Sequence, residues 1–196
     1  MRQGLLLPAT SDPIVLVGAR GDVRYWPEFL EADASAALVE ELRATTRFRE
    51  DSRVMYGRRV AVPRETAALG DRMPQPWTPR LLAVRDRLTE LLAQRFDYVF
   101  VNRYRDGRDS VAWHGDREGA RRPVIASLSL GATRRFDLRP KPDPVWAARP
   151  VGVDLADGDL VVMAGDTQMY WEHRVRKDPR VRAERLNLTF RQLVAT

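Results

Sequence analysis

Apolar residues recur with helical spacing in the first half of the chain and gather into short runs in the second. In EADASAALVEELRAT, from residue 31, Leu38 and Leu42 fall on one face, and Asp33 stands where an N-cap belongs. In WTPRLLAVRDRLTELLAQRF, Leu81, Val84, Leu88, Leu91 and Leu92 form a stripe. Thr78 can cap that helix, and Pro79 suits its first turn. A helix striped in this way packs on something, and a sheet is expected beneath it. From residue 96 onward the runs FDYVFVNRY, RPVIASLSLG, TRRFDLR, DLVVMAG and RLNLTFRQLV have strand length, with Gly, Pro and Asp as punctuation. Helices followed by many short strands predict an α+β fold whose body is a β-sandwich or jelly roll. The proline-rich stretch RPKPDPVWAARP, residues 139–150, reads as a surface connector between strands, and 196 residues suit a single domain, 1–196.

Composition narrows the chemistry. Hydrophobic residues make up 44% and charged residues 31%, as in an ordinary globular domain. No apolar run approaches the roughly 20 residues of a membrane helix, so no membrane partner is expected. The start, MRQGLLLPATSDP, is too short in apolar residues for a signal peptide, which makes cytoplasm the default. There is no cysteine, so a bound metal would have to sit on His, Asp or Glu. The net charge of +6 suits a polyanionic partner. Lys141 and Lys177 are the two lysines among 33 basic residues, however, and so strong an arginine skew equally fits a coding bias.

There are two histidines. One lies in VAWHGDREG, where His114 and Asp116 are two apart and, on a strand, share a face. The other, His173, follows the run DLVVMAG. Two histidines and a carboxylate form the facial triad of non-haem Fe(II) oxygenases; a surface histidine and a hydrogen-bonded core histidine are the commoner fates of such residues. In RLNLTFR, Arg185, Asn187, Thr189 and Arg191 occupy one face, and Leu186, Leu188 and Phe190 the other. That strand is either half exposed to water or the wall of a polar cavity. A guanidinium on such a wall grips a carboxylate through two parallel hydrogen bonds. In VFVNRY, Asn102 and Tyr104 also share a face and can donate to the same ligand.

With these residues in view, the sequence resembles the AlkB-type Fe(II)/2-oxoglutarate dioxygenases over roughly residues 53–194. The likeness is carried by NRYRDGRDSVAWHGDRE, PVIASLSLGATRRF and WEHRV…RLNLTFR, and it is nearest to the branch that repairs alkylated duplex DNA. MYGRRVAVPRETAALGD is similar to the substrate-side loop of that branch, and QPWTP to the start of the helix after it. The resemblance implies a double-stranded β-helix (jelly roll) over 96–196, braced by N-terminal helices over 1–95 that also carry a substrate-side lid loop. It implies Fe(II) on His114, Asp116 and His173, with 2-oxoglutarate and O2 as co-substrates. Arg185, helped by Tyr104, would hold the distal carboxylate of 2-oxoglutarate. Asn102 and Arg191 would steady the end near the metal, with Asn187 and Thr189 in support. The substrate contacts implied are Tyr56, Gly57, Arg58 and Arg64 on the loop, with Tyr56 as a finger that fills the gap left by a flipped base, and Glu118 at the damaged base.

The activity implied is oxidative demethylation of N-alkylated bases, with 2-oxoglutarate converted to succinate and formaldehyde released. The partner implied is nucleic acid, DNA above all, and the protein is expected to be a monomer. A 2-oxoglutarate-dependent hydroxylase acting on a protein, lipid or small molecule would use the same triad and arginine face. Two departures bear on substrate: Arg117 stands where relatives often carry an acid, and only RMPQ, residues 72–75, fills a segment that in relatives is longer and carries an aromatic that stacks on the flipped base.

Overall fold

A computed structural model describes residues 12–55, 58–116 and 123–193, with the side chains of 51–55 and 58–61 left out of account. Two antiparallel sheets face one another. The larger has eight strands in the order β1 (Ile14–Val17), β2 (Asp22–Trp26), β10 (Leu160–Ala164), β7 (Ile125–Gly131), β12 (Arg185–Arg191), β5 (Tyr98–Tyr104), β4 (Arg58–Gly70) and β3 (Arg49–Met55). The smaller has β6 (Val111–His114), β11 (Trp171–Val175), β8 (Arg134–Pro140) and β9 (Val151–Leu155). Two longer helices, α1 (Ala32–Thr45) and α2 (Pro79–Leu92), and one short one, α3 (Thr167–Tyr170), complete the set. No helix among the described residues is long and apolar enough to cross a membrane.

Alternation along the central strands builds two separate cores. Val99 and Val101 of β5, Ala126, Leu128 and Leu130 of β7, and Leu186, Leu188 and Phe190 of β12 turn to one face, where Leu38 and Leu42 of α1 and Leu81, Val84 and Leu88 of α2 cover them. The helices therefore brace the back of the larger sheet as their stripes predicted. The opposite face of the larger sheet meets the smaller one through Ile125 of β7 and Val161 and Met163 of β10 on one side and Phe136, Leu138, Trp171 and Val175 on the other.

The helix starts differ in detail from the sequence pattern. Helix α1 begins at Ala32 with Glu31 as its N-cap, and Asp33 sits in the first turn, where its charge favours the helix dipole. Thr78 is the N-cap of α2 and Pro79 its first residue, but the Thr78 side chain makes no capping bond. Strands also begin well before residue 96. Strands β1 to β4 precede it and extend the larger sheet at both ends, so the first half of the chain contributes sheet as well as helices. The segment expected as a lid loop is the β3–β4 hairpin, with Met55 paired to Arg58 and Gly70 paired to Tyr98 of β5. Residues 141–150 connect β8 to β9, while Arg139 and Pro140, expected in the connector, are the last two residues of β8.

A tight junction joins the turn before β6 to the segment before β12. Gly107 N–H donates to Val181 O at 2.9 Å, and Asp178 N–H to Gly107 O at 2.8 Å. A Cβ on Gly107 would lie 1.7 Å from Asp178 O, so no other residue fits without moving backbone. Gly107→Ala is expected to cost at least the roughly 1–3 kcal/mol of ordinary overpacking. In a domain of this size that lowers the melting temperature by about 2–4 °C per kcal/mol, and thermal unfolding followed by circular dichroism measures it.

Candidate functional site

Pairing of β6 with β11 sets His114 directly opposite His173, and β11 also pairs with β8, where His173 faces Leu138. The ladders thus place both imidazoles on the inner face of the smaller sheet, with ring centroids 4.3 Å apart. Asp116 arrives differently. Strand β6 ends at His114, so Asp116 lies beyond it, and the strand alternation used to join the two residues does not reach that far. The carboxylate nevertheless comes within 3.6 Å of His173 Nε2 and 4.0 Å of His114 Nε2. One ligand atom from each residue can be chosen so that all lie within 4.8 Å of one another, the geometry of a metal-ligand set.

The electrostatics suit a cation. Burial drives the His173 pKa down to about 4, so at neutral pH the ring is uncharged and offers a lone pair. His114 directs Nδ1 to the carbonyl of Ala112 at 2.9 Å, which leaves Nε2 toward Asp116. For Asp116, burial raises the pKa, but Arg191 and the two histidines outweigh it, and the net shift is downward. Arg191 Nη2 donates to Asp116 Oδ1 at 2.9 Å. Two imidazoles, the buried one uncharged, and an ionised carboxylate, beside a cavity of about 670 Å³, are the donor set that Fe(II) takes with positions left for other ligands.

The inner face of the larger sheet forms the cavity's other wall, and it is polar where the rest of that face is apolar. Asn102 pairs with Asn187, and Tyr104 with Arg185, across β5 and β12. Phe100, Asn102, Tyr104, Ser127, Asn187, Thr189 and Arg191 line the cavity. Leu186, Leu188 and Phe190 face the helices, so β12 is the cavity-wall strand and not a half-exposed one: both of its faces are buried. Several polar groups on the wall satisfy each other. Asn187 Nδ2 donates to Ser127 Oγ at 2.8 Å, and Thr189 Oγ1 to Phe100 O at 2.9 Å.

Arg185 is the exception. It is 1% exposed, its Cζ lies 5.2 Å from the centre of the Tyr104 ring, and Nη2 donates to Ser129 Oγ at 2.8 Å. Its Nε and Nη1 have no hydrogen-bond partner among the described residues. Burial pulls its pKa down to about 10, which leaves it charged at neutral pH. A buried guanidinium with two unfilled donors beside a tyrosine fits a carboxylate ligand.

Other expectations meet the structure unevenly. Arg64 of β4 lines the cavity, but its Nε donates to Asn102 Oδ1 at 2.6 Å. Tyr56, Gly57 and Glu118 lie outside the described residues, and the side chain of Arg58 does too. The short segment 72–75 makes a turn closed by Met73 N–H to Gly70 O at 3.3 Å and Gly70 N–H to Gln75 O at 2.9 Å, and none of its residues lines the cavity.

Trp113, Lys141 and Gln168 escaped the sequence reading. Trp113 and Lys141 line the cavity. The guanidiniums of Arg139 and Arg174 lie 4.3 and 4.4 Å from the Trp113 ring centre. A tryptophan directly before His114 was a visible signal; nothing local marks Lys141 or Gln168.

Comparison with known proteins agrees with this geometry. The family profile described as 2OG-Fe(II) oxygenase superfamily matches residues 22–191. Human alpha-ketoglutarate-dependent dioxygenase alkB homolog 3 is 35% identical over 184 residues, 85% of this chain and 64% of its own. The mouse DNA oxidative demethylase ALKBH2 is 39% identical over 159 residues, 72% of this chain and 66% of its own. The chain thus spans slightly less than two thirds of these curated relatives. The solved structure of OsALKBH1, at 19% identity, superimposes with a TM-score of 0.65 over 87% of this chain and 97% of that one, and shares the fold.

Proposed function

We propose, for a chain that belongs to the 2OG-Fe(II) oxygenase superfamily and is AlkB-type within it, that the protein is an Fe(II)- and 2-oxoglutarate-dependent dioxygenase that demethylates N-alkylated bases in nucleic acid, DNA foremost, acting as a monomer. One observation carries this reading: His114, Asp116 and His173 converge on a cavity beside a buried Arg185 with unfilled donors.

Fe(II) held by the triad would supply, with O2 and 2-oxoglutarate, the oxidation that turns an N-methyl group into formaldehyde and the co-substrate into succinate and CO2. The chain's own part is positioning. Arg185 and Tyr104 take the distal carboxylate. Asn102 and Arg191 hold the end near the metal, and since Asn102 Oδ1 already accepts from Arg64, its donation comes from Nδ2. Arg191 also keeps the Asp116 carboxylate ionised and oriented. Asn187 and Thr189 stiffen the wall by bonding to Ser127 and to the Phe100 carbonyl. Phe136, Met163 and Val175 give the cavity an apolar lining that keeps water from the reacting carbon.

A methylated base inside a duplex reaches such a cavity only after leaving the stack. The β3–β4 hairpin would then act as the substrate-side lid. Tyr56 and Gly57 would fill the gap, Arg58 would meet a flanking phosphate, and Arg64 would approach the base through its place on the cavity wall. Glu118 would accept a hydrogen bond from the exocyclic amine of the flipped base. Tyr56→Ala is expected to lose most activity on a duplex substrate and little on a single strand with the same lesion; equal losses on both would remove the finger.

The decisive experiment is a panel of oligonucleotides, each with one methylated base, single- and double-stranded, DNA and RNA, read by mass. Restored bases with formaldehyde and succinate released in equal amounts support the reading. Iron- and oxygen-dependent succinate without repair of any lesion would keep the dioxygenase and overturn the substrate.

A further inference from the structure

Of the three residues of the triad, two are held by a sheet and one is not. His114 and His173 sit opposite one another in the β6–β11 ladder. Asp116 lies beyond the end of β6, where no ladder fixes its backbone. The structure supplies a substitute from a distant part of the chain. Gln168, in α3, offers Oε1 to the Asp116 backbone N–H at 2.8 Å. The other side of its amide, Nε2, faces Met163 Sδ at 3.5 Å, which sets the amide orientation with oxygen toward Asp116.

Gln168 is itself anchored. Its carbonyl accepts from Lys141 Nζ at 2.8 Å, and the Lys141 backbone N–H donates to Tyr170 O at 2.8 Å, so both ends of α3 are tied to the residue that follows β8. Gly115, between the two ligands, passes close to this anchor: a Cβ there would lie 3.2 Å from both Gln168 O and Lys141 Nζ.

We propose that Gln168 is a positioning residue for the metal centre: its amide oxygen replaces the missing strand ladder and holds the Asp116 backbone where the carboxylate meets His114 and His173. The physical argument is division of labour. Arg191 fixes the carboxylate from the side-chain end at 2.9 Å, and Gln168 fixes the backbone from the other end. With both in place the carboxylate has little freedom left, so the ligand set exists before the ion arrives. Without the Gln168 acceptor, the tether left to Asp116 among the described residues is the one through its side chain, and ordering the backbone becomes a cost of binding. Partners that orient metal ligands without touching the ion change metal affinity by about 10–100-fold when removed. This inference rests on the reading of the triad as a metal site.

The test uses the whole chain, freed of metal with a chelator and titrated with Mn(II) alone, the free ion followed by its electron paramagnetic resonance signal. Gln168→Met keeps length and volume but puts a weakly accepting thioether in place of the amide oxygen; it is expected to weaken Mn(II) binding by about 10–100-fold. Gln168→Glu keeps an oxygen at the same reach and is expected to bind at least as tightly as wild type. The metal-free melting temperatures of the two variants are expected to agree with each other, since a role confined to fold stability would separate those temperatures and leave Mn(II) affinity untouched. Should Gln168→Met fail to fold, Gln168→Asn, which retains the amide but withdraws it by one carbon, carries the same expected loss. Wild-type affinity in Gln168→Met, or equal losses in Met and Glu variants, overturns the proposal. A wild-type chain that takes up no Mn(II), or a His173→Ala chain that takes it up as tightly, instead overturns the metal site itself, so the two failures are told apart.

Discussion

Replacing His173 by alanine is expected to abolish Fe(II)- and 2-oxoglutarate-dependent turnover, measured as succinate formed under saturating iron. His173 Nε2 is the imidazole atom 3.6 Å from Asp116 Oδ2, and the chain has no third histidine to take its place. The variant also carries a stability cost that a control must separate. His173 is 7% exposed and its ring packs 5.5 Å from Phe136. Truncation leaves a cavity, at roughly 2–4 kcal/mol. His114→Ala provides the control, because the His114 side chain is 40% exposed and its loss empties little of the core. Turnover is expected to vanish in both variants while the melting temperature falls mainly in His173→Ala. Near-full activity in His114→Ala would detach the triad from the chemistry. Asp116→Asn keeps an oxygen for the Arg191 donor and loses the charge, so it is expected to be folded and inactive; Asp116→Ala would take the carboxylate from a largely buried guanidinium and confuse the two effects.

Arg185→Lys is expected to weaken 2-oxoglutarate binding by about 5- to 150-fold, the equivalent of roughly 1–3 kcal/mol for a charge-assisted hydrogen bond. Isothermal calorimetry on the Mn(II)-loaded protein without oxygen measures it. Lysine retains a charge but not the planar fork, and its ammonium cannot both reach Ser129 Oγ and present two parallel donors. The sign of the pH effect separates this from general damage. Burial lowers the Arg185 pKa only to about 10, so the wild-type cation persists at pH 7–9 and its affinity is expected to be flat there. A lysine starts from a lower intrinsic pKa and is pushed down by the same burial. The deprotonated amine no longer attracts a carboxylate, so the variant's affinity is expected to fall as pH rises through that range. Unchanged affinity would remove Arg185 from the co-substrate site.

Much of this protein was legible in the order of its residues. The stripes of Leu38 and Leu42, and of Leu81, Val84 and Leu88, specified helices covering a sheet, because a helix with one apolar face has to bury it. Alternation in RLNLTFR specified which side chains leave the core, because a strand has period two and any register keeps Arg185, Asn187, Thr189 and Arg191 together. Two histidines, one of them two residues from an aspartate, in a chain without cysteine left few ways to build a metal site.

Tertiary structure decided the rest, for reasons of the same kind. Strands β1 to β4 lie toward the ends of the larger sheet, and in REDSRVM and RRVAVPRETAALG charged residues and a proline interrupt the apolar alternation, so neither run carried a strand signature. The opposition of His114 and His173 is a register between β6 and β11, and register is set by pairing between distant segments. Asp116 reaches its partners from beyond a strand, held by an arginine from β12 and a glutamine from α3. No local pattern announces such a contact, because a backbone N–H takes its acceptor from whatever the fold brings near it.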